Sequence, residues 1–398
     1  MNLKQIPIIG TPISISDLAQ ALKAPFSGSA MRERFTKDLQ DFFNCPHCHL
    51  VSSGRTAAYV ILKVLSSLSG RKEVVIPAYV CASVVGAIKK AGLKVKLCDI
   101  SLDTFQIEMN ELRRAVSENT LCIMPAHLFG LPCRIEAIDL IARESNCYVV
   151  EDFAQSMGTV VNKRESGTLS SIAFTSFGRG KNLPTYSGGA IVLFEEVLFD
   201  RINEQIKRLR YPSPVERAAT LMRLMIFALI VNPYVHKAFH KLILKMKGED
   251  YPILDLKAGQ YAEFQAGVGD SILKKFNALR ERRYKNGMYL YERLKNFDFL
   301  RLPHILEGSR PAFNRFPVLL HKRWMRKRVE YHMQKAGIVA CRLYTKPIHR
   351  LYPDLWDGKE PDPFSSASFF AENSVTLPTH PLIDEATMDK IIEVFKQI

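Results

Sequence analysis

Apolar residues in the first half of the chain alternate between short continuous runs and stretches with helical spacing. Continuous runs predict buried strands, and apolar positions three to four apart predict helices that cover them. The predicted strands are residues 73–77, 94–99, 121–125, 148–152, 172–177 and 189–194, and the last two are expected to pair through the loop between them. The predicted helices are residues 14–23, with Ser16 as the cap and Asp17 in the first turn, and residues 31–43, 56–68, 82–90, 110–116 and 135–144. This alternation indicates βαβ units and a largely parallel sheet, so the predicted fold class is α/β.

The pattern changes after about residue 261. Helical periodicity with many charges extends over residues 262–297, and a short strand at 315–320 and a final helix at 384–397 follow. We therefore predict a large domain over residues 1–255 and a smaller C-terminal α+β domain over residues 256–398.

Residues 217–247 interrupt the alternation of strands and helices. The 13 residues LMIFALIVNPYVH, between Arg223 and Lys237, carry no charge, and the following KAFHKLILKMK is amphipathic and basic. The chain has no continuous apolar run long enough for an ordinary transmembrane helix. Two interpretations stay open: a helix pair that contacts an anionic membrane surface, or a helical excursion that packs on the domain or on a second subunit.

The chain of 398 residues is basic, with 55 Lys and Arg against 40 Asp and Glu and a net charge of +15. That excess fits an acidic partner such as nucleic acid, an anionic membrane or a phosphorylated substrate, and it equally fits a solvated basic surface. The 8 cysteines are too few for a disulfide framework and indicate a reducing compartment. The N-terminus lacks the pattern of a secretory signal. We expect a cytoplasmic protein, with the inner membrane surface as a possible peripheral location.

The stretch CPHCH, at Cys45–His49, matches the C-x-x-C-H pattern of covalent haem attachment. Without an export signal the haem interpretation is disfavoured, and a metal clip is a second alternative. The third alternative is a coincidence in front of another feature of the chain. No metal site is predicted.

Three other stretches combine into one candidate site. Ser53-Gly54-Arg55-Thr56 is a small, flexible turn that opens a helix, and helix N-terminal amides bind anions such as phosphate. The apolar strand that ends in Glu151-Asp152, with Gln155 close behind, places a carboxylate where open α/β sheets bind ligands. The alternatives are an ordinary strand-to-helix turn and a helix cap.

The third stretch, FTSFGRGKNL, is a strand that ends in a polar, glycine-containing loop with one lysine, Lys181. A lysine in a partly desolvated pocket can lose its proton and attack a carbonyl, although most lysines are simply solvated. A phosphate cup, an acid for a ring nitrogen and a Schiff-base lysine together point to pyridoxal 5′-phosphate (PLP).

In order and spacing these stretches resemble the DegT/DnrJ/EryC1/StrS family of sugar aminotransferases, within the fold type I PLP-dependent transferases. The resemblance covers most of the chain outside residues 200–255. It implies a large domain with a mixed, mostly parallel seven-stranded sheet, a smaller C-terminal domain and a homodimer. It also implies that Cys45–His49 form the entry into the strand before the phosphate turn, with side chains alternating between core and surface. The stretches that carry it are SSGRTAAYVIL, EVVIPAYVCASVVGAIKKAGLKVKLCDI, IMPAHLFGLPCRIEAIDLIARESNCYVVEDFAQSMGT, AFTSFGRGKNLPTYSGGAIV, RLYTKPIH and LPTHPLIDEATMDKIIEVF.

The resemblance also implies a role for each candidate residue. Lys181 binds the cofactor as a Schiff base and then carries the proton between substrate and cofactor. Asp152 pairs with the ring nitrogen, and Gln155 contacts the ring hydroxyl. Ser176, with Gly54, Arg55 and Thr56, holds the cofactor phosphate. His349 lies where the C-terminal domain closes over the substrate.

Two positions depart from the family pattern. Cys81 stands where an aromatic residue usually stacks on the cofactor ring. Tyr79, two residues earlier, is the candidate to take its place by a shifted approach and to contact the substrate. The asparagine that the family often supplies from the neighbouring subunit is missing from residues 256–266. The phosphate contact across the dimer and the usual substrate pocket are therefore open.

We predict an aminotransferase that moves an amino group from an amino acid, with glutamate as the expected donor, to a keto-sugar linked to a nucleotide. The expected setting is cell-surface polysaccharide, lipopolysaccharide or secondary-metabolite sugar synthesis, with no nucleic-acid partner. One alternative is a sugar dehydratase on the same scaffold, but those relatives have His at the position of Lys181. The other is a membrane-associated binding or scaffold protein that has lost activity.

Overall fold

A computed structural model describes residues 4–246, 255–356 and 358–398. The helices are α1 (Ile15–Lys23), α2 (Ala30–Phe43), α3 (Gly54–Leu68), α4 (Ala82–Lys90), α5 (Met109–Ala115), α6 (Ile135–Glu144), α7 (Glu196–Lys207), α8 (Pro214–Ile230), α9 (Pro233–Met246), α10 (Glu263–Leu273), α11 (Phe276–Leu294), α12 (Arg323–Lys335), α13 (Ile348–Leu351), α14 (Ser365–Asn373) and α15 (Glu385–Phe395). The strands are β1 (His47–Val51), β2 (Glu73–Pro77), β3 (Lys94–Cys98), β4 (Thr120–Ile123), β5 (Tyr148–Asp152), β6 (Val160–Val161), β7 (Arg164–Glu165), β8 (Ile172–Ser176), β9 (Gly189–Leu193), β10 (Leu300–Arg301), β11 (Ser309–Arg310), β12 (Phe316–Leu320) and β13 (Ser374–Leu377).

The central sheet has seven strands in the order β1-β9-β8-β5-β4-β2-β3. The neighbours from β8 to β3 are parallel, whereas β9 runs antiparallel to both β8 and β1. This confirms the expected mixed, mostly parallel sheet and the pairing of the last two predicted strands. Because helices cover both faces, the five inner strands are buried along almost their whole length, as is typical of parallel sheets. The carboxyl ends of β5 and β8 lie side by side, with Asp152 in register with Phe174.

Two predicted helices need correction. The first begins at Ile15, and its cap is Ser14, whose hydroxyl accepts from the Asp17 amide while the Asp17 carboxylate accepts from the Ser14 amide. This reciprocal pair is a capping box, with Asp17 in its third position rather than beside the cap. The long helix predicted over residues 262–297 is two helices, α10 and α11, separated at Lys274 and Lys275.

The predicted domain boundary at residue 256 is also corrected. Helix α10 packs on α1 and α2: its residues Ala266 and Val268 share an apolar cluster with Phe35 and Leu39 of α2. A Cβ at Gly267 would lie 2.6 Å from the Gln20 carbonyl oxygen, so α10 approaches α1 at backbone distance. The chain therefore leaves the large domain after α10. The antiparallel sheet β10-β12-β13, with α11, α12, α14 and α15 around it, forms the smaller unit.

The interruption at residues 217–247 is a bent helix pair. Helix α8 begins at a Ser213–Glu216 capping box, with Pro214 in the first turn, and α9 follows after a short break. No single described helix has the length and apolar content to cross a membrane. The pair Pro214–Ile230 and Pro233–Phe239 meets that criterion only when its two arms are added, and the arms are bent by 108°. The last residue of the predicted segment, 247, lies outside the described residues.

The CPHCH stretch enters β1, as the resemblance implies. The rings of His47 and His49 stack on Phe199 of α7, with centroids 4.1 Å and 5.1 Å away, whereas Cys48 joins the apolar cluster on the opposite face. Both faces of this edge strand are therefore covered. The alternation is between two packed faces rather than between core and surface. Burial accordingly lowers the pKa of His49 to about 4.

Candidate active site

One cleft, of about 430 Å³, gathers most of the predicted site residues at the carboxyl ends of β5 and β8. Its floor is built by Asp152, the last residue of β5, and by Ser176, the last residue of β8. Lys181 stands in the loop that follows β8, and its amide donates to the Gly178 carbonyl at 3.0 Å, which closes a tight turn. Gln155, Gly54 and Arg55 line the same cleft.

The charged groups of Asp152 and Lys181 are both buried away from solvent. Burial raises the pKa of the Asp152 carboxyl, while a hydrogen bond from the Ala154 amide at 2.9 Å and the charge of Lys181 act in the opposite direction. Burial lowers the pKa of the Lys181 ammonium, and the positive charge of Arg315 adds to that effect. A lysine with a lowered pKa has more of its amine in the unprotonated, nucleophilic form.

The predicted phosphate cup lies where α3 begins. The Ser53 hydroxyl accepts from the Thr56 amide at 3.1 Å and so caps the helix, whose first residue is Gly54. A Cβ at Gly54 would lie 2.8 Å from the Ser176 Cβ, so glycine lets the helix N-terminus meet the end of β8. Helix amides and hydroxyl groups at one point form an anion site of the size that a phosphate needs.

Thr56 does not lie on the cleft surface, which corrects its predicted phosphate contact. The side chain is fully buried, and its hydroxyl is engaged with the hydroxyls of Ser52 and Ser53, at 3.0 Å and 2.9 Å. Ser53, which was predicted only as part of the turn, lines the cleft instead. The structure therefore assigns Thr56 to shaping the turn.

Gln155 joins the two units of the molecule across the cleft. Its side-chain oxygen accepts from the Phe129 amide at 3.0 Å, and its amide nitrogen donates to the Tyr344 hydroxyl at 2.9 Å. Tyr344 comes from the C-terminal part of the chain and lines the cleft. Burial raises the pKa of the Tyr344 hydroxyl, which therefore stays protonated. One amide thus fixes the position of a tyrosine at the mouth of the site.

Tyr79 does not contact the cleft, so its predicted substrate role is corrected. The side chain is fully buried, and its hydroxyl accepts from the Tyr344 amide at 3.1 Å and donates to the Tyr344 carbonyl at 3.3 Å. Its ring packs against Phe370 with centroids 4.9 Å apart. Tyr79 therefore holds the Tyr344 backbone in place. Cys81 lines the cleft where the stacking aromatic was expected.

His349 is corrected in the same way. The ring is buried in α13, 3.1 Å from the Asp362 carboxylate and 3.3 Å from the Ser368 hydroxyl, and it lies outside the cleft lining. Trp356 and Phe364 pack on it with centroids 5.1 Å and 5.0 Å away. Burial lowers the pKa of His349, although Asp362 opposes the shift. In this arrangement His349 organises the C-terminal unit.

Sequence reasoning missed His127, which forms part of the cleft wall. Its Nδ1 accepts from the Cys133 amide at 2.7 Å, so the proton sits on Nε2, which donates to the buried Glu151 carboxylate at 2.8 Å. Glu151 also accepts from the amides of Leu169 and Ser170. A fully paired histidine gives the cleft a rigid wall. The sequence signal that could have identified His127 is its position in PAHLFG, directly after the strand that neighbours the strand of Asp152.

Arg179 and Tyr186, from the loop around Lys181, were also missed. Both line the cleft, and the Arg179 guanidinium lies over the Tyr186 ring at 5.4 Å from its centroid. With Arg55, Arg179 makes this end of the cleft positively charged. The cleft can therefore hold a cofactor phosphate and further anionic groups, and the donor set of Asp152, Lys181, Ser176 and the α3 amides fits PLP.

Comparison with known proteins gives a consistent result. The family model described as the DegT/DnrJ/EryC1/StrS aminotransferase family matches residues 15–396. The chain is 24% identical to the dTDP-3-amino-3,6-dideoxy-alpha-D-galactopyranose transaminase of Aneurinibacillus thermoaerophilus, over 90% of this chain and 87% of the relative. It is also 24% identical to the GDP-perosamine synthase of Caulobacter vibrioides, over 92% of this chain and 89% of the relative.

Solved structures share the fold along nearly the whole chain. Spr1654 from Streptococcus pneumoniae, in its PLP form, superimposes with a TM-score of 0.80 at 20% identity, covering 99% of this chain and 98% of that one. PseC of Helicobacter pylori, an aminotransferase involved in the biosynthesis of pseudoaminic acid, gives a TM-score of 0.79 at 18% identity and covers 99% of both chains.

Proposed function

The chain belongs to the DegT/DnrJ/EryC1/StrS aminotransferase family, and from this premise we propose that it transfers an amino group from an amino acid to a ketone on a nucleotide-linked sugar. The enzyme class, a PLP-dependent sugar aminotransferase, follows from the family and its relatives. Beyond that class, we propose glutamate as the amino donor and a nucleotide-linked keto-sugar as the acceptor. The homodimer and the cytoplasmic location expected from the sequence remain proposals beside it.

The observation that carries the proposal is the convergence of Lys181, Asp152 and the α3 N-terminus on one cleft. When bound, PLP supplies an aldehyde carbon for an amine and a ring that draws electrons from the substrate. Because the pKa of its ammonium is lowered, Lys181 can act as a nucleophile through Nζ and can also carry one proton. Asp152 would pair with the ring nitrogen, and Ser176 with the Gly54 amide would hold the phosphate.

The charge of the cleft supports anionic substrates. Arg55 and Arg179 line it, and Arg315 lies close enough to Lys181 to lower the pKa of its ammonium. Arginine forks bind carboxylates and phosphates in bidentate geometry. A dicarboxylate donor and a diphosphate-linked sugar both carry such groups. The names of the relatives, a dTDP-sugar transaminase and a GDP-sugar synthase, point to the same kind of acceptor.

The proposal is tested on the purified protein reconstituted with PLP. We expect a visible absorbance band of the lysine-bound cofactor and its loss in Lys181→Ala. Lys96→Ala, an exposed lysine on the edge strand β3, is the matched control and keeps the band. Glutamate is then added with a panel of keto-sugar nucleotides, and the aminated product is read by mass spectrometry.

The same experiment separates the enzyme from its alternatives. A band that persists in Lys181→Ala would remove the assigned role of Lys181. A wild-type protein that forms no pyridoxamine phosphate with any amino-acid donor would favour a scaffold protein without activity. A product that has lost a hydroxyl instead of gaining an amine would favour the dehydratase.

A further inference from the structure

Helix α8 is apolar on two opposite faces. Its inner face, with Leu224, Phe227 and Val231, is buried against the large domain. The outer face carries exposed apolar side chains at positions that recur every three to four residues and so fall on one side of the helix. We call this face the outer stripe: Val215, Met222, Met225, Ile226 and Leu229.

Helix α9, bent by 108° from α8, carries two further exposed apolar side chains, Tyr234 and Phe239. Among the described residues nothing covers the outer stripe. Exposed large apolar side chains elsewhere on the described surface are spread over many elements, whereas seven lie on this bent helix pair. A contiguous exposed apolar patch of this kind marks an interaction site.

The surrounding sequence is strongly basic. Residues 207–247 contain a single acidic residue, Glu216, and nine basic residues: Lys207, Arg208, Arg210, Arg217, Arg223, Lys237, Lys241, Lys245 and Lys247. Arg223 is exposed on α8 beside the outer stripe. An apolar face with a basic border is complementary to a lipid surface with anionic headgroups.

We propose that the outer stripe docks the enzyme on an anionic membrane surface. The competing occupant is a second copy of the chain. A two-fold interface places the same patch of both copies face to face, so the basic border of the outer stripe, with the exposed Arg223, would meet the same charges on the second copy. Like charges across an interface disfavour association, whereas anionic headgroups neutralise them. The charge pattern therefore favours lipid over self-association.

The docking helix packs directly behind one wall of the active site. Phe227, on the inner face of α8, contacts the ring of Tyr186 edge to face, with centroids 6.3 Å apart. Tyr186 lines the cleft beneath Arg179. The outer stripe is thus about one helix diameter, roughly 10 Å, from the cleft wall. Docking brings the cleft close to the headgroups, and on the proposed function the acceptor sugar is then delivered or consumed at the membrane.

Vesicle flotation of the full-length, PLP-loaded protein tests the docking. The probes are vesicles of phosphatidylcholine alone and of phosphatidylcholine mixed with phosphatidylglycerol. We expect wild type to float with the anionic vesicles, and Leu229→Glu to lower the partition coefficient at least about tenfold, because an apolar contact is replaced by a charge. Arg223→Ala should lower it about fivefold, the effect of one basic residue near an anionic surface.

Leu140→Glu is the matched control, because Leu140 is an exposed helical leucine of similar accessibility, 57% against 62% for Leu229, on α6 away from the stripe. It should float like wild type. Met222→Glu repeats the test at a second stripe position if Leu229→Glu loses the cofactor absorbance that reports a folded site. Both stripe variants should retain half-reaction activity in vesicle-free solution.

Three results would overturn the proposal: equal flotation of wild type and both stripe variants, no preference for anionic vesicles, or a wild-type oligomer that the stripe variants dissociate without any flotation. Lys181→Ala serves to separate this proposal from the enzymatic one. It should lose the half-reaction and still float, so a failure of catalysis and a failure of docking give different results.

Discussion

At the scale of single residues, Asp152 shows a conflict between folding and chemistry. Burial raises the pKa of its carboxyl, so the ionised form costs the cofactor-free protein stability at neutral pH. The same ionised form is what a protonated ring nitrogen needs. We expect Asp152→Asn to lower the rate of amino transfer by about 10²–10³-fold, because a preorganised charge at the reacting system is lost.

The thermal unfolding of the same variant distinguishes a chemical role of Asp152 from a structural one. Cofactor-free Asp152→Asn should melt at or above the wild-type temperature, and PLP should raise its melting temperature less than it raises that of wild type. Asp139→Asn is the control, since burial also raises the pKa of Asp139, which lies on α6 outside the cleft. A cofactor-free Asp152→Asn protein that melts well below wild type would instead make Asp152 a structural residue.

The residues that sequence reasoning placed correctly in the cleft share one property. Asp152, Ser176 and Lys181 stand at or just after strand ends, and strand ends can be read from apolar runs. Tyr79 and His349 stand in loops and short helices, where tertiary contacts decide which way a side chain points. The hydroxyl of Tyr79 is bound by Tyr344, 265 residues away, and no local pattern encodes that distance.

At the scale of elements, predicted and observed bounds agree best where the apolar periodicity of the sequence is strongest. Strands β2 and β5 and helices α4 and α6 have the predicted bounds, because each combines a clear apolar pattern with turn residues on both sides. The break between α10 and α11 was missed because helical spacing continues across Lys274 and Lys275. What changes there is burial: α10 is buried nearly all round against α1 and α2, whereas α11 is amphipathic. Burial of a whole helix depends on its neighbours and cannot be read from its own sequence.

Asp17 anchors α1 to the break between α10 and α11, so its replacement should lower the stability of the fold. The side chain is buried, completes the capping box with Ser14, accepts from the Ser271 hydroxyl at 2.7 Å and forms an ion pair with Lys275. We expect Asp17→Asn to lower the free energy of unfolding by about 3 kcal/mol, the cost of breaking a buried ion pair. Asp41→Asn, which removes the exposed pair with Lys37 on α2, should cost less than about 1 kcal/mol. Urea unfolding measures both.

The pH dependence of the Asp17 effect has a defined sign. Burial raises the pKa of its carboxyl, but the hydrogen bonds from Lys275, Ser14 and Ser271 together bring it below the ordinary value of 3.8. A carboxyl whose pKa is lowered by folding stabilises the fold at pH values above the pKa that it has in the unfolded chain. That contribution is lost as the pH falls through the lowered pKa of the folded state. The difference between wild type and Asp17→Asn should therefore be full at neutral pH and shrink below about pH 4. A difference that is constant down to pH 3 would contradict the ion-pair account.

At the scale of the whole molecule, the N-terminal segment joins parts of the chain that lie far apart in sequence. The Ile6 amide donates to the Gly337 carbonyl and the Ile6 carbonyl accepts from the Val339 amide, which attaches the segment to the C-terminal unit. The buried His380 donates to the Pro7 carbonyl at 2.8 Å. A few residues later the segment reaches the loop that carries Lys181. These contacts bridge more than half of the sequence, so the apolar pattern of residues 4–11 alone could not predict them.

Thr11 is the point where this segment meets the active-site loop. Its hydroxyl donates to the Asn182 carbonyl at 3.2 Å and accepts from the buried Arg283 guanidinium at 2.8 Å. We expect Thr11→Val, which keeps the shape and removes the hydroxyl, to lower the free energy of unfolding by about 1–3 kcal/mol, because a buried carbonyl and a buried guanidinium nitrogen each lose a partner. The variant should also bind PLP more weakly in a titration followed by visible absorbance, since the loop that holds Lys181 loses a restraint.

Thr11→Ser keeps the hydroxyl and removes only a methyl group, so it separates the hydrogen bonds from packing. With Ser at position 11 the PLP titration should match wild type, and the urea midpoint should fall by less than in Thr11→Val. If the two variants lose PLP affinity equally, packing of the methyl group controls the loop. If Thr11→Val loses stability and keeps full PLP affinity, the segment stabilises the fold without positioning Lys181. Only a joint loss of stability and affinity in Thr11→Val, with affinity preserved in Thr11→Ser, supports a hydrogen-bonded link from the N-terminal segment to the lysine loop.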